Sequence, residues 1–296
     1  MTTLTHHERD EIDRANDAGL PTILLVHGLW LLSSSWDRWR RHYEDAGYGT
    51  VAPGWPDDPE TVEQARAEPG VFAKKMVRQV TEHYLEAIKR LSAKPAVVGH
   101  SFGGLFAQKI AGEGASAVTV AIDAAPFRGV LPVPISSLRS SAPVVGNPAN
   151  AGRAVTLTFE EFTYGWANAL PEPEARELYD EFHVAASGRP IFQAVAANLN
   201  PFSETKVRTK AADRGPLLLI SGEKDHTIPP SVVKSQYRRQ RRNPCPTERI
   251  VVPNRGHSLT IDHGWQEVAD ISLDFIRGYL PTHTQLRTQT TSGSSF

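Results

Sequence analysis

Residues 96–112 read AVVGHSFGGLFAQKIAG, and this stretch decides the fold. Ala96–His100 is a short apolar run of strand type, Phe102–Ala111 follows with helical spacing and stops at Gly112, and almost no loop separates them. A strand that enters a helix through one residue must turn sharply, and residues without a Cβ must flank the turn to avoid the neighbouring backbone. Gly99, Gly103 and Gly104 meet that need in a G-x-S-x-G pattern centred on Ser101. Such a turn strains the serine backbone and exposes its hydroxyl at the end of the strand.

Outward from this point the chain alternates apolar runs with helical stretches, the signature of a parallel sheet covered on both faces. Strands are predicted at Ile23–His27, Tyr48–Ala52, Ala117–Asp123, Leu217–Ser221 and Glu248–Val252 in addition to Ala96–His100. Their continuous apolar character fits burial on both sides. Helices are predicted after Ser34 or Ser35, carrying Trp36, Trp39 and Tyr43 and ending by Gly47, and over about Val71–Leu91, Val232–Arg242 and Trp265–Tyr279. The alternation breaks between Pro126 and Lys210, where a Pro/Ser-rich stretch precedes helical pieces near Phe159–Leu170, Glu172–Phe182 and Ile191–Asn198. A segment this long and aromatic reads as a lid. The expected division is a polar N-terminal tail (1–20), a core in two parts (21–127 and 213–281), an inserted, mainly helical lid (128–212) and a disordered C-terminal tail (282–296).

Composition narrows the function. The 296 residues carry 32 Lys+Arg against 33 Asp+Glu, a net charge of -1, so no general field attracts nucleic acid or an anionic membrane. The basic run Tyr237–Arg242 lies on a predicted helix and reads as a solvated face. Cys245 is the single cysteine and excludes an internal disulfide or a Cys-x-x-Cys zinc site. The longest apolar runs, at 23–26 and 217–220, are far short of a bilayer span, and the first residues have no signal-peptide pattern. The reading is a cytoplasmic protein with no nucleic-acid or membrane partner.

A serine hydroxyl is a poor nucleophile until a base takes its proton and an acid orients that base. His257, after the strand ERIVV and preceded by Gly256, is the candidate base. Asp225, on the turn after LLLI, is the candidate acid, and Asp123, at the end of TVAID, is its rival. His27 and His100 sit inside motifs and read as packing groups, while His183 and His226 are less easily set aside.

The chain order Ser101, Asp225, His257 over residues 21–127 and 213–281 resembles that of the serine-dependent α/β-hydrolases. Val26-His27-Gly28-Leu29-Trp30, at the end of the first strand, resembles the family's oxyanion loop. By position the oxyanion donors are the Leu29 and Phe102 N–H groups, with Trp30 a weaker third. The resemblance implies an α/β-hydrolase fold of about six mostly parallel strands, without the two-strand hairpin that commonly precedes the core, because nothing before Ile23 has room or pattern for it. It also implies acyl transfer to water on a small-molecule ester, carboxylesterase-like, with no cofactor and no metal. Lactone, amide or carbon–carbon hydrolysis and perhydrolysis use the same groups. The reading from another class is a non-catalytic binding protein on the same fold. Trp30, His100, Phe127, Phe162 and Trp166 are the candidate substrate contacts, although at least half of the lid aromatics belong to core packing.

Overall fold

The computed structural model describes residues 3–131 and 133–282. Helix α1 (His6–Ala18) precedes strand β1 (Thr22–Val26), followed by α2 (Asp37–Asp45), β2 (Gly49–Val51), α3 (Val62–Ala67), α4 (Val77–Arg90), β3 (Ala96–His100), α5 (Phe102–Gly112) and β4 (Val118–Ile122). The chain then leaves the sheet. An insertion of α6 (Ile135–Val145), β5 (Ala154–Val155), α7 (Phe159–Gly165), α8 (Glu172–Phe182), β6 (Ala186–Ser187) and α9 (Arg189–Val195) intervenes before β7 (Leu217–Gly222), α10 (Pro230–Gln240), β8 (Thr247–Val252) and α11 (Trp265–Arg277).

The sheet has six strands in the order β2-β1-β3-β4-β7-β8, and every pairing is parallel. Alternate residues feed two cores because side chains on a strand point to opposite faces. Leu24, Val26, Val97, Ala121 and Leu219 face α4, α5 and α10, whereas Ile23, Leu25, Val98, Val120 and Ile220 face α2 and α11. β1 runs out to β2 on one side, and the chain then crosses back to place β3 on the other. Ligands in open parallel sheets bind at the carboxyl ends where the strand order reverses in this way.

Three expectations change. Residues 6–18 are a helix instead of a polar tail: Thr5 and Glu8 form a capping box, and Leu4, Ile12 and Ala15 bury a narrow apolar stripe. Two acids of α1 are also buried, Glu8 against His83 at 2.8 Å and Glu11 against Arg40 at 2.6 Å, so charge pairing replaces the missing hydrophobicity. The helix expected over 71–91 starts at Val77, because Lys74 takes φ 64° and breaks the run after a 3₁₀ turn at Pro69–Phe72. The Pro/Ser-rich stretch contains α6, with Pro143 inside it, packed on α7 and α9. The tail expected over 282–296 falls, from residue 283 onward, outside the described residues.

Candidate active site

β3 ends at His100, and Ser101 has φ 57° and ψ -121°, a conformation that L-residues rarely adopt. Local bonds over-determine it. Ser101 N–H donates to the Ile122 carbonyl at 3.0 Å, and the Ser101 carbonyl accepts from Gly104, Leu105 and Ala125. The glycines are sterically required: a Cβ on Gly99 would strike the Gly103 carbonyl, and one on Gly103 the Val26 carbonyl. A Cβ on Gly28 would lie 2.8 Å from that of Ser101, which shows how closely the loop after β1 approaches the serine.

That loop runs His27-Gly28-Leu29-Trp30, with Trp30 at φ 63°. Its carbonyls and side chains are tied down. His27 Nδ1 bonds the Gly28 carbonyl at 2.9 Å, which fixes the Gly28–Leu29 peptide, and Trp30 Nε1 donates to Val155 in the insertion at 3.0 Å. The Leu29 and Phe102 N–H groups have no acceptor among the described residues. Phe102 opens α5, where a first-turn N–H has no partner within its helix. Behind the loop, His27 Nε2 lies 3.3 Å from Asp58, which pairs in turn with Lys75. His27 and Lys75 are buried and the Asp58 side chain is only 5% exposed; against the raising effect of burial, His27 and the Lys75 charge hold the Asp58 carboxyl below its ordinary range. This buried charge line was not legible in the sequence, where His27 reads as a packing group.

The loops after β7 and β8 carry the remaining groups. His257 Nδ1 donates to Asp225 Oδ2 at 2.7 Å, a direction fixed because an ionised carboxylate only accepts. Asp225 Oδ1 accepts from Thr227 N–H at 2.7 Å and Ile228 N–H at 2.9 Å. His257 Nε2 is buried without a hydrogen bond and free to accept. The insertion braces both loops: Ser258 N–H donates to Trp166 and Asn168 Nδ2 to Lys224.

Asp123 is also here. It is fully buried at φ 40°, and its Oδ1 accepts from Gly222 N–H at 2.9 Å. Burial, followed by the Asp225 charge, raises its carboxyl well above the usual carboxylate range. His100 packs tilted against His257 with ring centroids 4.7 Å apart, and burial drives its imidazole well below the ordinary histidine range, keeping it neutral. A carboxyl oxygen of Asp123 and ring nitrogens of His100 and His257 lie within 4.8 Å of one another. The cluster is closed to solvent.

A cleft of about 1060 Å³, including its open mouth, lies over Ser101 and Phe102 between the sheet and the insertion. Of the expected contacts, Trp30 and Phe127 line it. His100, Phe162 and Trp166 do not. Trp166 stacks on Phe162 and meets His257 edge-on at 4.7 Å, so these rings form the wall behind the imidazole. The lining is mostly aliphatic and small, with Val130, Leu138, Ile191 and Val232 beside Ser137 and Thr227, and none of its residues is charged. Sequence reading weighted the large aromatic side chains and passed over these, although VLPVPISSL (130–138) carried an apolar signal.

A model of the alpha/beta hydrolase family matches residues 23–271. The chain belongs to the alpha/beta hydrolase family. Solved members with the same fold include a monoacylglycerol lipase of Paleococcus ferrophilus (20% identity, 87% of this chain and 94% of that one, TM-score 0.61). The pyrethroid hydrolase PytH matches at 17% identity over 88% of this chain and 98% of its own, with a TM-score of 0.60. An extracellular α/β-hydrolase from a Paenibacillus species matches at 17% over 86% and 98%, also at 0.60. No curated protein matches this hydrolase. No helix among its described residues is long and apolar enough to cross a membrane.

Proposed function

We propose that this alpha/beta hydrolase cleaves a carboxylic ester through an acyl-enzyme on Ser101. The observation that carries the reading is the Asp225–His257 pair at 2.7 Å, which leaves the unpaired His257 Nε2 as the base on the same side of the sheet as the strained serine. His257 Nε2 takes the Ser101 proton as Oγ attacks the carbonyl carbon. Asp225, held by two backbone N–H groups, keeps the imidazole in its productive tautomer and stabilises the imidazolium that forms. The Leu29 and Phe102 N–H groups receive the oxyanion, and losing one such donor typically costs about 3 kcal/mol of transition-state stabilisation. His257 then protonates the departing alkoxide, and water repeats the sequence on the acyl-enzyme.

The cleft supports a neutral, apolar acyl group of small or medium size, since its lining is uncharged and chiefly aliphatic. Residues 128–212 act as the lid in this reading. An ester is favoured over an amide because an alkoxide is the easier group to expel. The neighbours named for monoacylglycerol and pyrethroid substrates are compatible with an apolar ester and carry no finer assignment. The unpaired Cys245 fits a reducing, cytoplasmic setting.

Two measurements test the proposal. Wild-type protein should form a mass adduct with a fluorophosphonate at Ser101 and hydrolyse p-nitrophenyl butyrate, and Ser101→Ala should do neither. An unlabelled wild type would identify a binding protein, and turnover retained by Ser101→Ala would remove the nucleophile assignment.

A further inference from the structure

Between α5 and α10 runs a row of buried polar side chains that the chemistry above leaves unused: Gln108, Gln236 and Gln240, with Arg214 from the loop before β7. Every hydrogen bond of the Arg214 guanidinium among the described residues goes to a neutral acceptor. Its Nη2 donates to the Cys245 and Pro246 carbonyls and the Thr247 hydroxyl, and its Nη1 to Gln240 Oε1 at 3.2 Å. From there the bonds run one way. Gln240 Nε2 donates to Gln108 Oε1 at 3.1 Å, Gln108 Nε2 to Gln236 Oε1 at 2.7 Å, and Gln236 Nε2 to the Ala124 carbonyl at 2.6 Å. Both ends dictate that direction. A guanidinium only donates and a carbonyl only accepts, so each amide between them must turn its oxygen toward Arg214 and its NH2 toward Ala124.

The row does not stop at Ala124. That carbonyl belongs to the Ala124–Ala125 peptide, whose N–H donates to the Ser101 carbonyl at 2.9 Å. The Ser101 carbonyl belongs in turn to the Ser101–Phe102 peptide, whose N–H is one of the two oxyanion donors. A peptide is a conjugated unit, so a bond accepted at its oxygen makes its N–H a stronger donor, and in a dry interior such polarisation passes along a chain of bonds. The row thus starts at a positive charge near the amino ends of β7 and β8 and finishes where negative charge develops, at the carboxyl end of β3. Packing alone does not call for it, since apolar side chains would fill the same space without the cost of burying amides. We propose that Arg214, Gln240, Gln108 and Gln236 form a polarising relay that strengthens the Phe102 N–H as an oxyanion donor. The inference rests on the serine-hydrolase reading above. All four are positioning residues: none lines the cleft, no proton moves along the row, and each acts on the reaction only through the Phe102 peptide.

The test cuts the row at two depths. Gln236→Met keeps the volume but cannot donate to Ala124, and Gln240→Met cuts farther out, next to Arg214. Removing an oxyanion donor outright costs about 10²–10³-fold in kcat, so weakening one should cost about tenfold in Gln236→Met and about threefold in Gln240→Met. Because the interaction strengthens only as the oxyanion forms, kcat and kcat/KM for p-nitrophenyl butyrate should fall together with KM unchanged. The Ki of a trifluoromethyl ketone, whose adduct on Ser101 carries the oxyanion, should rise by the same factor. A folded Gln236→Met with wild-type kcat, or a fall in kcat without a rise in Ki, would overturn the relay. Thr247→Val removes an Arg214 acceptor outside the row and should lower the urea midpoint at unchanged kcat; a loss as deep as that of Gln236→Met would tie the effect to stability and overturn the proposal. A measurement on wild type alone does not depend on the variants' folding. Coupling runs both ways, so forming the ketone adduct on protein carrying isotope-labelled glutamine should shift the solvent-protected side-chain amide protons downfield in the NMR spectrum, and unmoved resonances would refute the idea. An active, fluorophosphonate-labelled wild type that fails these tests sinks the relay and leaves the hydrolase reading standing, while an unlabelled wild type sinks both.

Discussion

At the scale of single residues, the elbow stores strain that its neighbours must accommodate. Gly103 is the sharpest case, because its α-hydrogen faces the Val26 carbonyl and any Cβ would collide with it. Gly103→Ala should therefore destabilise the protein by at least the ~1–3 kcal/mol typical of overpacking, read as a lowered urea midpoint, and should reduce fluorophosphonate labelling through displacement of Ser101. Chain order at strand ends made Ser101, Asp225 and His257 readable as a proposed set, since a strand end fixes where its next residue emerges. No such rule governs Phe162 and Trp166. Their size suggested a substrate wall, yet they pack behind His257, because whether an aromatic of the insertion faces inward or backward depends on helix packing that periodicity does not record. Asp123 was readable as a rival to Asp225, but its bond to Gly222 N–H was not, because it depends on the register of β4 against β7.

At the scale of elements, the insertion is held by a histidine that folding keeps neutral. His183, at the end of α8, accepts from Leu157 N–H and stacks on Tyr179 at 4.6 Å, with Phe162 edge-on and the Arg66 guanidinium bonded to its carbonyl. Burial, followed by the Arg66 charge, lowers its pKa to about 4 from the ordinary 6.5. The native state thus binds fewer protons than the unfolded chain in this range, so the stabilisation is fully present above pH 6.5 and is lost as pH falls toward 4. The slope is about 1.4 kcal/mol per pH unit, or roughly 3 kcal/mol in all. Urea midpoints should fall from pH 7 to pH 5 in wild type and fall less in His183→Asn. The N-terminal helix provides a second element-scale test. Ile12 is buried where the sequence suggested a tail, so Ile12→Ala should cost about 2–4 kcal/mol, whereas a residue in a tail would cost nothing measurable. The helix escaped notice because three apolar positions and two buried acids leave its average character polar.

At the scale of the whole molecule, near-neutral charge hides an uneven distribution. Residues 124–159 and 182–203 contain no Asp or Glu but include Arg128, Arg139, Arg153 and Arg189. The same region holds Ile135, Leu199 and Phe202, each 84% exposed or more. With an isoelectric point near 6.8, solubility should be lowest around neutral pH, where this apolar face meets little net repulsion. Ile135→Ser/Leu199→Ser/Phe202→Ser should delay precipitation at pH 7 in a light-scattering assay; an unchanged onset would show that the exposed side chains do not drive association. The six-strand architecture itself was legible throughout, because every sheet strand except the edge strand β8 is buried along its whole length and helices separate the strands.

The sheet order also sets a schedule for biosynthesis. The loop after β1 and Ser101 after β3 emerge from the ribosome early, on strands that pair directly, whereas Asp225 and His257 arrive after β7 and β8, once the whole insertion has been made. A nascent chain thus carries its hydroxyl for more than half of its synthesis with no base beside it. In this reading reactivity begins only when the last two strands dock, and an abortive translation product is chemically silent.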